Sequence, residues 1–317
     1  MKFIDRFAGH GWTILPTLRH EIMGRSAPES ETWKKELLDA QVGPVTLSGL
    51  YRREPGAKEL VVVLHGLGGD VARSYCVGAA RAAHEAGFSC LRLAMRGADE
   101  GGTDIHHAGL TSDVGEILGD AAFARYERIY LVGYSLGGHV ALRAAIDEVE
   151  ARLVAVAAIC PPLDLAASQA AIDRAGRGVY RRHVINALKR HYVRIARAGL
   201  MPTPVERILQ VRTLREWDAL TVVPRFGFAD VDAYYRRESV ASHIEKLNIP
   251  ALIVASKHDP MVPMRTLQGT LSRATGDVDV RWVRRGGHVF FPPATDLGLG
   301  DEPGVEVQIM GWFRSFH

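Results

Sequence analysis

Short, continuous apolar runs alternate along this chain with longer stretches in which apolar residues recur every three or four positions. The short runs are Glu59–Leu64, Phe88–Leu93, Ile129–Val132, Leu153–Ile159 and Ala251–Ser256, and Val278–Val283 is a further strand-like segment. A β-branched and aliphatic run without alternation suits a strand buried on both faces. Helical spacing predicts helices over residues 72–86, Thr111–Ala124, Gly138 to about Val149, and Val305–Phe316. In Thr111–Ala124 the apolar positions are Val114, Ile117, Leu118 and Ala121, with Asp113 and Glu116 in the first turn. Strand and helix in alternation predict a mostly parallel sheet wrapped on both faces.

Two parts of the chain leave this rhythm. Lys35–Asp39 and Val45–Tyr51, separated by Gly43-Pro44, predict an antiparallel start to the sheet. Residues 1–32 are expected to form an extension packing on the core through Trp12, Ile14 and Leu15. After Cys160-Pro161-Pro162 the alternation stops, and residues 163–245 read as helices interrupted by Pro202, Pro204 and Pro224. An insertion between two sheet strands is the expected place for a cap that roofs a site. The domain reading is therefore a core of 1–162 and 246–317 with a helical cap or lid over 163–245. The insertion carries Arg174, Arg177, Arg181, Arg182, Arg190, Arg194 and Arg197. These fit a solvated helical face with packed stems, or a surface for an acidic substrate or membrane; the first is favoured.

Composition narrows the class. The chain has 317 residues, 47% hydrophobic and 24% charged, enough for a sizeable core plus an inserted subdomain. A net charge of +3 is too small to argue for nucleic acid. Cys76, Cys90 and Cys160 show no metal spacing, and an odd count of scattered thiols suits a reducing compartment. No leader-like apolar region and no bilayer-length apolar segment is present, so a cytoplasmic protein without stable membrane insertion is expected. No metal or cofactor is expected; His106-His107 has no partner at a ligand spacing and reads as a loop.

The chemistry centres on Gly133-Tyr134-Ser135-Leu136-Gly137, where an apolar strand meets a helix. Such a turn strains its middle residue and projects Ser135 Oγ, while the two glycines let strand and helix approach. The helix N-terminus aims its free N–H groups at the same spot. A second glycine-rich turn, His65-Gly66-Leu67-Gly68-Gly69, follows the Glu59–Leu64 strand. It reads as a source of one oxyanion donor, the Leu67 N–H, alongside the Leu136 N–H; a plain turn or a phosphate loop are the alternatives. His65 reads as a structural brace. Asp259 follows the Ala251–Ser256 strand, and His288 follows Val278–Val283 in Gly286-Gly287-His288. Ligand sites in open α/β sheets lie beyond the carboxyl ends of strands, and Leu67, Ser135, Asp259 and His288 all fall there. In the order Ser135, Asp259, His288 they can form nucleophile, orienting acid and general base. His258 reads as a neighbour of the acid, and His139 as packed or solvated on the nucleophile helix.

These residues resemble the α/β-hydrolase superfamily, and further stretches resemble its YheT-like branch, which includes medium-chain ester synthase/esterases. They are the two glycine-rich motifs, Gly178-Val179-Tyr180, Leu214-Arg215-Glu216-Trp217-Asp218, Gly227-Phe228-Ala229-Asp230 with Tyr234-Tyr235, His258-Asp259-Pro260 and Gly286-Gly287-His288-Val289. The pattern departs at Arg96-Gly97-Ala98-Asp99-Glu100-Gly101, and His10-Gly11-Trp12-Thr13 matches only loosely. The resemblance implies an α/β-hydrolase fold, the triad Ser135, Asp259 and His288, and a small-molecule ester substrate with short- to medium-chain acyl groups. Ester hydrolysis is the leading reading. Acyl transfer with the same triad, and a receptor-like binding protein on a hydrolase scaffold, are the alternatives.

Overall fold

The computed structural model describes residues 9–13, 27–40, 43–99, 101–147, 150–197 and 201–316. Eight strands form one sheet: β1 Glu31–Asp39, β2 Gly43–Arg52, β3 Glu59–Leu64, β4 Ser89–Ala94, β5 Arg128–Tyr134, β6 Leu153–Ile159, β7 Ala251–Ser256 and β8 Val278–Val283. Their spatial order is β1-β2-β4-β3-β5-β6-β7-β8. β1 pairs antiparallel with β2, and β2 with β4; every later pairing is parallel.

The continuous apolar runs are the two-sided strands. In β3, Leu60, Val62 and Leu64 join one core cluster, and Val61 and Val63 join the other. A strand's side chains alternate between faces, so both faces must be covered. Helix α1 (Ser74–Glu85) and the last helix, α11 (Val305–Arg314), cover one face with Ala79, Ala83, Ile309 and Phe313. Helices α2 (Ser112–Leu118), α3 (Leu136–Asp147) and α10 (Met264–Leu271) cover the other.

Between β6 and β7 the described residues form helices and no strand: α4 Leu165–Arg174, α5 Val179–Ala196, α6 Val205–Gln210, α7 Leu214–Leu220, α8 Val222–Phe226 and α9 Val231–Glu238, with short 3-10 turns among them. Their apolar faces form a third cluster, which also takes in Ile105, Leu136 and Met261 from the body. The arginine run behaves as a solvated face: Arg174, Arg177, Arg182, Arg190 and Arg197 are exposed. Arg181 and Arg194 instead donate to the Asp173 and Gly97 carbonyls.

Several boundaries differ from the pattern-based ones. The segment expected as one helix over Thr111–Ala124 stops at Leu118. Gly119 ends it, and the Asp120 side chain accepts from the Ala122 N–H to start a separate 3-10 turn over Ala121–Phe123. β1 begins at Glu31, because Glu31 to Asp39 pair with β2 along their whole length. Of the N-terminal extension, Ile14, Leu15 and Pro16 lie outside the described residues; residues 9–13 form a helical turn. Among the described residues, no helix is long and apolar enough to cross a membrane.

Candidate active site

The parallel pairing brings the ends of β3, β5, β7 and β8 to one edge of the sheet. Leu64 lies beside Gly133, and Ser256 beside Val283. At the end of β5 the backbone turns into α3 with no spare room. A Cβ on Gly133 would lie 2.2 Å from the Gly137 carbonyl oxygen, and one on Gly137 would lie 2.4 Å from that of Leu64. Ser135 sits in the left-handed region with φ 53°. For a residue with a side chain that conformation is strained, and it persists where surrounding structure imposes it. Here the Ser135 N–H donates to the Ile159 carbonyl at 2.8 Å, and the Ser135 carbonyl accepts from the His139 N–H at 3.1 Å.

The structure brings all three candidate side chains together. His288 Nε2 lies 2.7 Å from Ser135 Oγ, and His288 Nδ1 lies 2.8 Å from Asp259 Oδ2. The other oxygen, Asp259 Oδ1, accepts from the Met261 and Val262 N–H groups at 2.7 and 2.9 Å. Those two amides leave Oδ2 to His288, so Nδ1 carries the proton and Nε2 offers its lone pair to the serine. Asp259 and His288 are both 5% exposed, which shields the pair from competing water.

Leu67 and Leu136 flank this point. The Gly66–Gly69 turn closes through the Gly69 N–H on the Gly66 carbonyl at 2.9 Å, and Leu136 opens α3. Among the described residues, neither the Leu67 nor the Leu136 N–H has a protein acceptor, as expected for a tight turn and a helix's first turn. His65 braces the turn: Nε2 accepts from the Met95 N–H and Nδ1 donates to the Gly66 carbonyl. Full burial lowers its pKa to about 3, so it stays neutral.

Residues that pattern reading left without a role surround His288. Thr13 Oγ1 accepts from the His288 N–H at 3.0 Å and donates to the Gly9 carbonyl. Gly287 has no room for a Cβ, which would sit 2.4 Å from Thr13 N and Oγ1. Gly9 in turn lies against the His258 carbonyl beside Asp259. His10 Nδ1 is 2.6 Å from the Tyr180 hydroxyl on α5. The turn at residues 9–13 thus touches the Asp259 loop, the His288 loop and the helical insertion. His139 is packed: its ring nitrogens face the Pro162 and Glu238 carbonyls at 2.7 and 2.9 Å. Burial lowers its pKa to about 4.

Ser135, Leu67, Leu136 and His288 open into a cavity of about 380 Å³ roofed by the insertion. Its walls are mainly apolar, with Ile105, Leu165, Ile172, Leu188, Trp217 and Val222 among them. His106 and His107, expected only as a loop, lie on its wall. His107 packs on the Phe226 ring at 4.4 Å, and burial lowers its pKa to about 3. The two insertion motifs pair with each other: Arg215 bridges Asp232, and Tyr235 donates to Asp218 Oδ2 at 2.6 Å. Burial, helped by the nearby Asp173 carboxylate and opposed by the Tyr235 bond, raises Asp218 to about 7.

Among the described residues, Cys160, Asp259 and His288 form the one group with metal-ligating atoms within 4.8 Å of one another. Burial holds the Cys160 thiol well above its ordinary pKa, and His288 Nδ1 is committed to Asp259. A thiol that resists ionisation and a ring already engaged make a poor metal donor set.

A family model described as "Alpha/beta hydrolase family" matches residues 61–296. The chain belongs to the alpha/beta hydrolase family. Its relatives include "Putative esterase YheT" of Escherichia coli K12, 28% identical over 272 residues, which covers 82% of this chain and 77% of that one. A yeast protein, "Monoacylglycerol lipase" of Saccharomyces cerevisiae, is 25% identical over 78% of this chain and 60% of its own length. Among solved structures, the Pyrococcus furiosus esterase Pf2001 superposes with a TM-score of 0.57 at 16% identity, over 84% of this hydrolase and 88% of that one. The 2,6-dihydroxy-pseudo-oxynicotine hydrolase gives 0.58 at 18% identity, over 91% and 68%. These likenesses establish the α/β-hydrolase fold.

Proposed function

We propose that this hydrolase cleaves carboxylic esters of short- to medium-chain acyl groups through an acyl-enzyme on Ser135. The observation that carries the reading is the unbroken relay Ser135 Oγ, His288, Asp259 at 2.7 and 2.8 Å, opening into an apolar cavity. Residues 163–245 act as the cap that shapes the acyl pocket. The yeast and bacterial relatives, named for esterase and lipase activity, support the substrate class.

Ser135 Oγ attacks the ester carbonyl as His288 Nε2 takes its proton. The negative charge that develops on the carbonyl oxygen is met by the Leu67 and Leu136 N–H groups. Asp259 holds the imidazolium and its tautomer. The tetrahedral intermediate collapses, the C–O bond to the alcohol breaks, and Nε2 returns the proton to the leaving oxygen. Water then enters, His288 takes one of its protons, and the hydroxide equivalent attacks the acyl carbon. Collapse frees the carboxylic acid and restores the Ser135 hydroxyl. Removing one oxyanion donor costs roughly 3–4 kcal/mol of barrier in such sites. The three free, buried cysteines support a reducing, cytoplasmic setting.

The test is hydrolysis of p-nitrophenyl esters from acetate to decanoate by the wild type and by Ser135→Ala. A chain-length optimum that the substitution reduces by several orders of magnitude is expected. Turnover that survives Ser135→Ala would overturn the assignment. Adding ethanol to the same assay and measuring ethyl ester separates hydrolysis from acyl transfer.

A further inference from the structure

The apolar cavity carries polar groups that the acyl-transfer chemistry leaves unused, and they cluster on the insertion. Ser168 and Gln169 lie on α4, Asp218 on α7 and Tyr235 on α9, and all four line the cavity. Helix α4 packs on both α7 and α9, so the helices that carry the four residues are neighbours. Ser168 is 2% exposed, and among the described residues its hydroxyl has no hydrogen-bond partner. Asp218 is enclosed by protein yet keeps part of its surface open to the cavity. Tyr235 donates to its Oδ2, and among the described residues that is the carboxyl's one hydrogen bond. A buried hydroxyl and a half-satisfied carboxyl are costly in an apolar wall. A group that arrives with the ligand and satisfies both removes that cost.

We propose that Asp218, with Ser168 on the helix packed against its own, forms a subsite for a hydroxyl group carried on the substrate's chain. The reading rests on the esterase assignment for the word substrate, but the subsite itself is a binding claim. A hydroxyl fits because it donates to Asp218 and exchanges a hydrogen bond with Ser168 in either sense. A carboxylate ligand is opposed by Asp218 and the nearby Asp173. An ammonium in place of the hydroxyl is an outcome of the test below: an ω-amino-1-alkanol that binds tighter than the diol of the same length overturns the hydroxyl assignment. In an apolar pocket, a few placed polar groups set which ligand is accepted, and a ligand lacking the matching group leaves them unpaired. The hydroxyl can lie on the acyl chain or on the alcohol, since both run into the cavity from Ser135.

The test uses the full chain with Ser135→Ala, so that binding is read without turnover. Calorimetry compares 1-alkanols with α,ω-alkanediols of four to twelve carbons. Measured at pH 8.5, above the raised pKa of Asp218 of about 7, the diol at one or a few lengths binds roughly ten- to a hundredfold tighter than the alkanol, the range for a hydrogen bond to a charged group. Asp218→Leu removes that preference. The Ser168 hydroxyl makes no hydrogen bond within the described protein, so Ser168→Ala leaves the fold's own bonds intact and lowers the preference even where Asp218→Leu fails to fold. Equal affinity of diol and alkanol at every length overturns the proposal, and so does a preference unchanged in both variants. A preference lost with Asp218 but untouched by Ser168→Ala keeps the carboxyl and overturns the part given to Ser168. In the Ser135 protein, p-nitrophenyl ω-hydroxyalkanoates against ω-hydroxyalkyl esters then assign the hydroxyl to the acyl or alcohol side. A diol preference together with no ester turnover and no fluorophosphonate labelling sinks the esterase reading while the subsite stands.

Discussion

Thr13→Val removes the hydroxyl that ties the turn at residues 9–13 to the His288 loop, and with it the donor to the Gly9 carbonyl. Valine replaces the hydroxyl by a methyl of similar size, so packing volume is kept while the acceptor for the His288 N–H is lost. His288 is 5% exposed, and water does not readily replace the lost partner. An unsatisfied buried N–H costs about 1–3 kcal/mol. A methyl cannot stay 3.0 Å from an amide nitrogen, so the loop must shift, and the imidazole shifts with it. A misplacement near 1 Å in a catalytic group can cost about a hundredfold in rate. We expect kcat/KM for p-nitrophenyl butyrate to fall ten- to a hundredfold, mainly in kcat. Urea unfolding should show a loss of about 1–3 kcal/mol. Thr13→Ser keeps the hydroxyl and should restore both. The assay counts active sites by fluorophosphonate titration, which separates a slower site from fewer folded sites. If Thr13→Val keeps wild-type kcat per titrated site, the turn at residues 9–13 does not position the base, whatever happens to stability.

Three further outcomes follow from the geometry. Gly133→Ala forces a Cβ to 2.2 Å from the Gly137 carbonyl, so little folded protein, or folded protein without fluorophosphonate labelling, is expected; full labelling at normal yield would contradict the close approach. Arg96 is buried among Asp113 at 2.5 Å, Asp39 at 2.7 Å and Asp104 at 3.5 Å. Arg96→Met strands those carboxylates and should cost about 3–5 kcal/mol in urea unfolding, with a loss below about 1 kcal/mol refuting it. His65 binds its proton near 6.5 when unfolded but only near pH 3 when folded. Its contribution is present above pH 6.5 and is lost as pH falls toward 3, by about 1.4 kcal/mol per pH unit. His65→Asn should flatten the stability–pH slope between pH 4 and 6 by that amount, and equal slopes in the two proteins would exclude it.

How much of this was legible in the sequence depends on how local each signal is. Ser135, Asp259 and His288 could be singled out because each follows a predicted strand, and parallel strands deliver their ends to one edge. The relay distances agree with that placement. Thr13 carried no such signal. Its bond to His288 spans 275 positions, and a threonine in a short helical turn has no periodicity to betray a partner. Asp218 stood in a motif, but the side it presents depends on how a seven-residue helix sits against α4 and α9. Side-chain spacing cannot fix that, because short helices rotate to suit tertiary packing. The break at Gly119-Asp120 was missed because the apolar spacing runs on through Ala121. A glycine and a capping aspartate outweigh the spacing there.

The insertion is held at its root and at its rim, and this bears on how the cavity selects. At the root, the Ala241 N–H donates to the Leu163 carbonyl and the Leu165 N–H to Ser239 Oγ. His139, one turn into the nucleophile helix, places its ring between the carbonyls of Pro162 and Glu238, one at each end of the insertion. At the rim, Tyr180 meets His10 from the turn that also holds the base loop. The elements that position nucleophile and base therefore also position the roof. A ligand then meets walls already placed, and binding energy is not consumed in assembling them. Selection falls to the shape of the apolar walls and to the few polar atoms left open among them. A half-satisfied carboxyl at Asp218 consequently has more influence on substrate choice than its single hydrogen bond suggests.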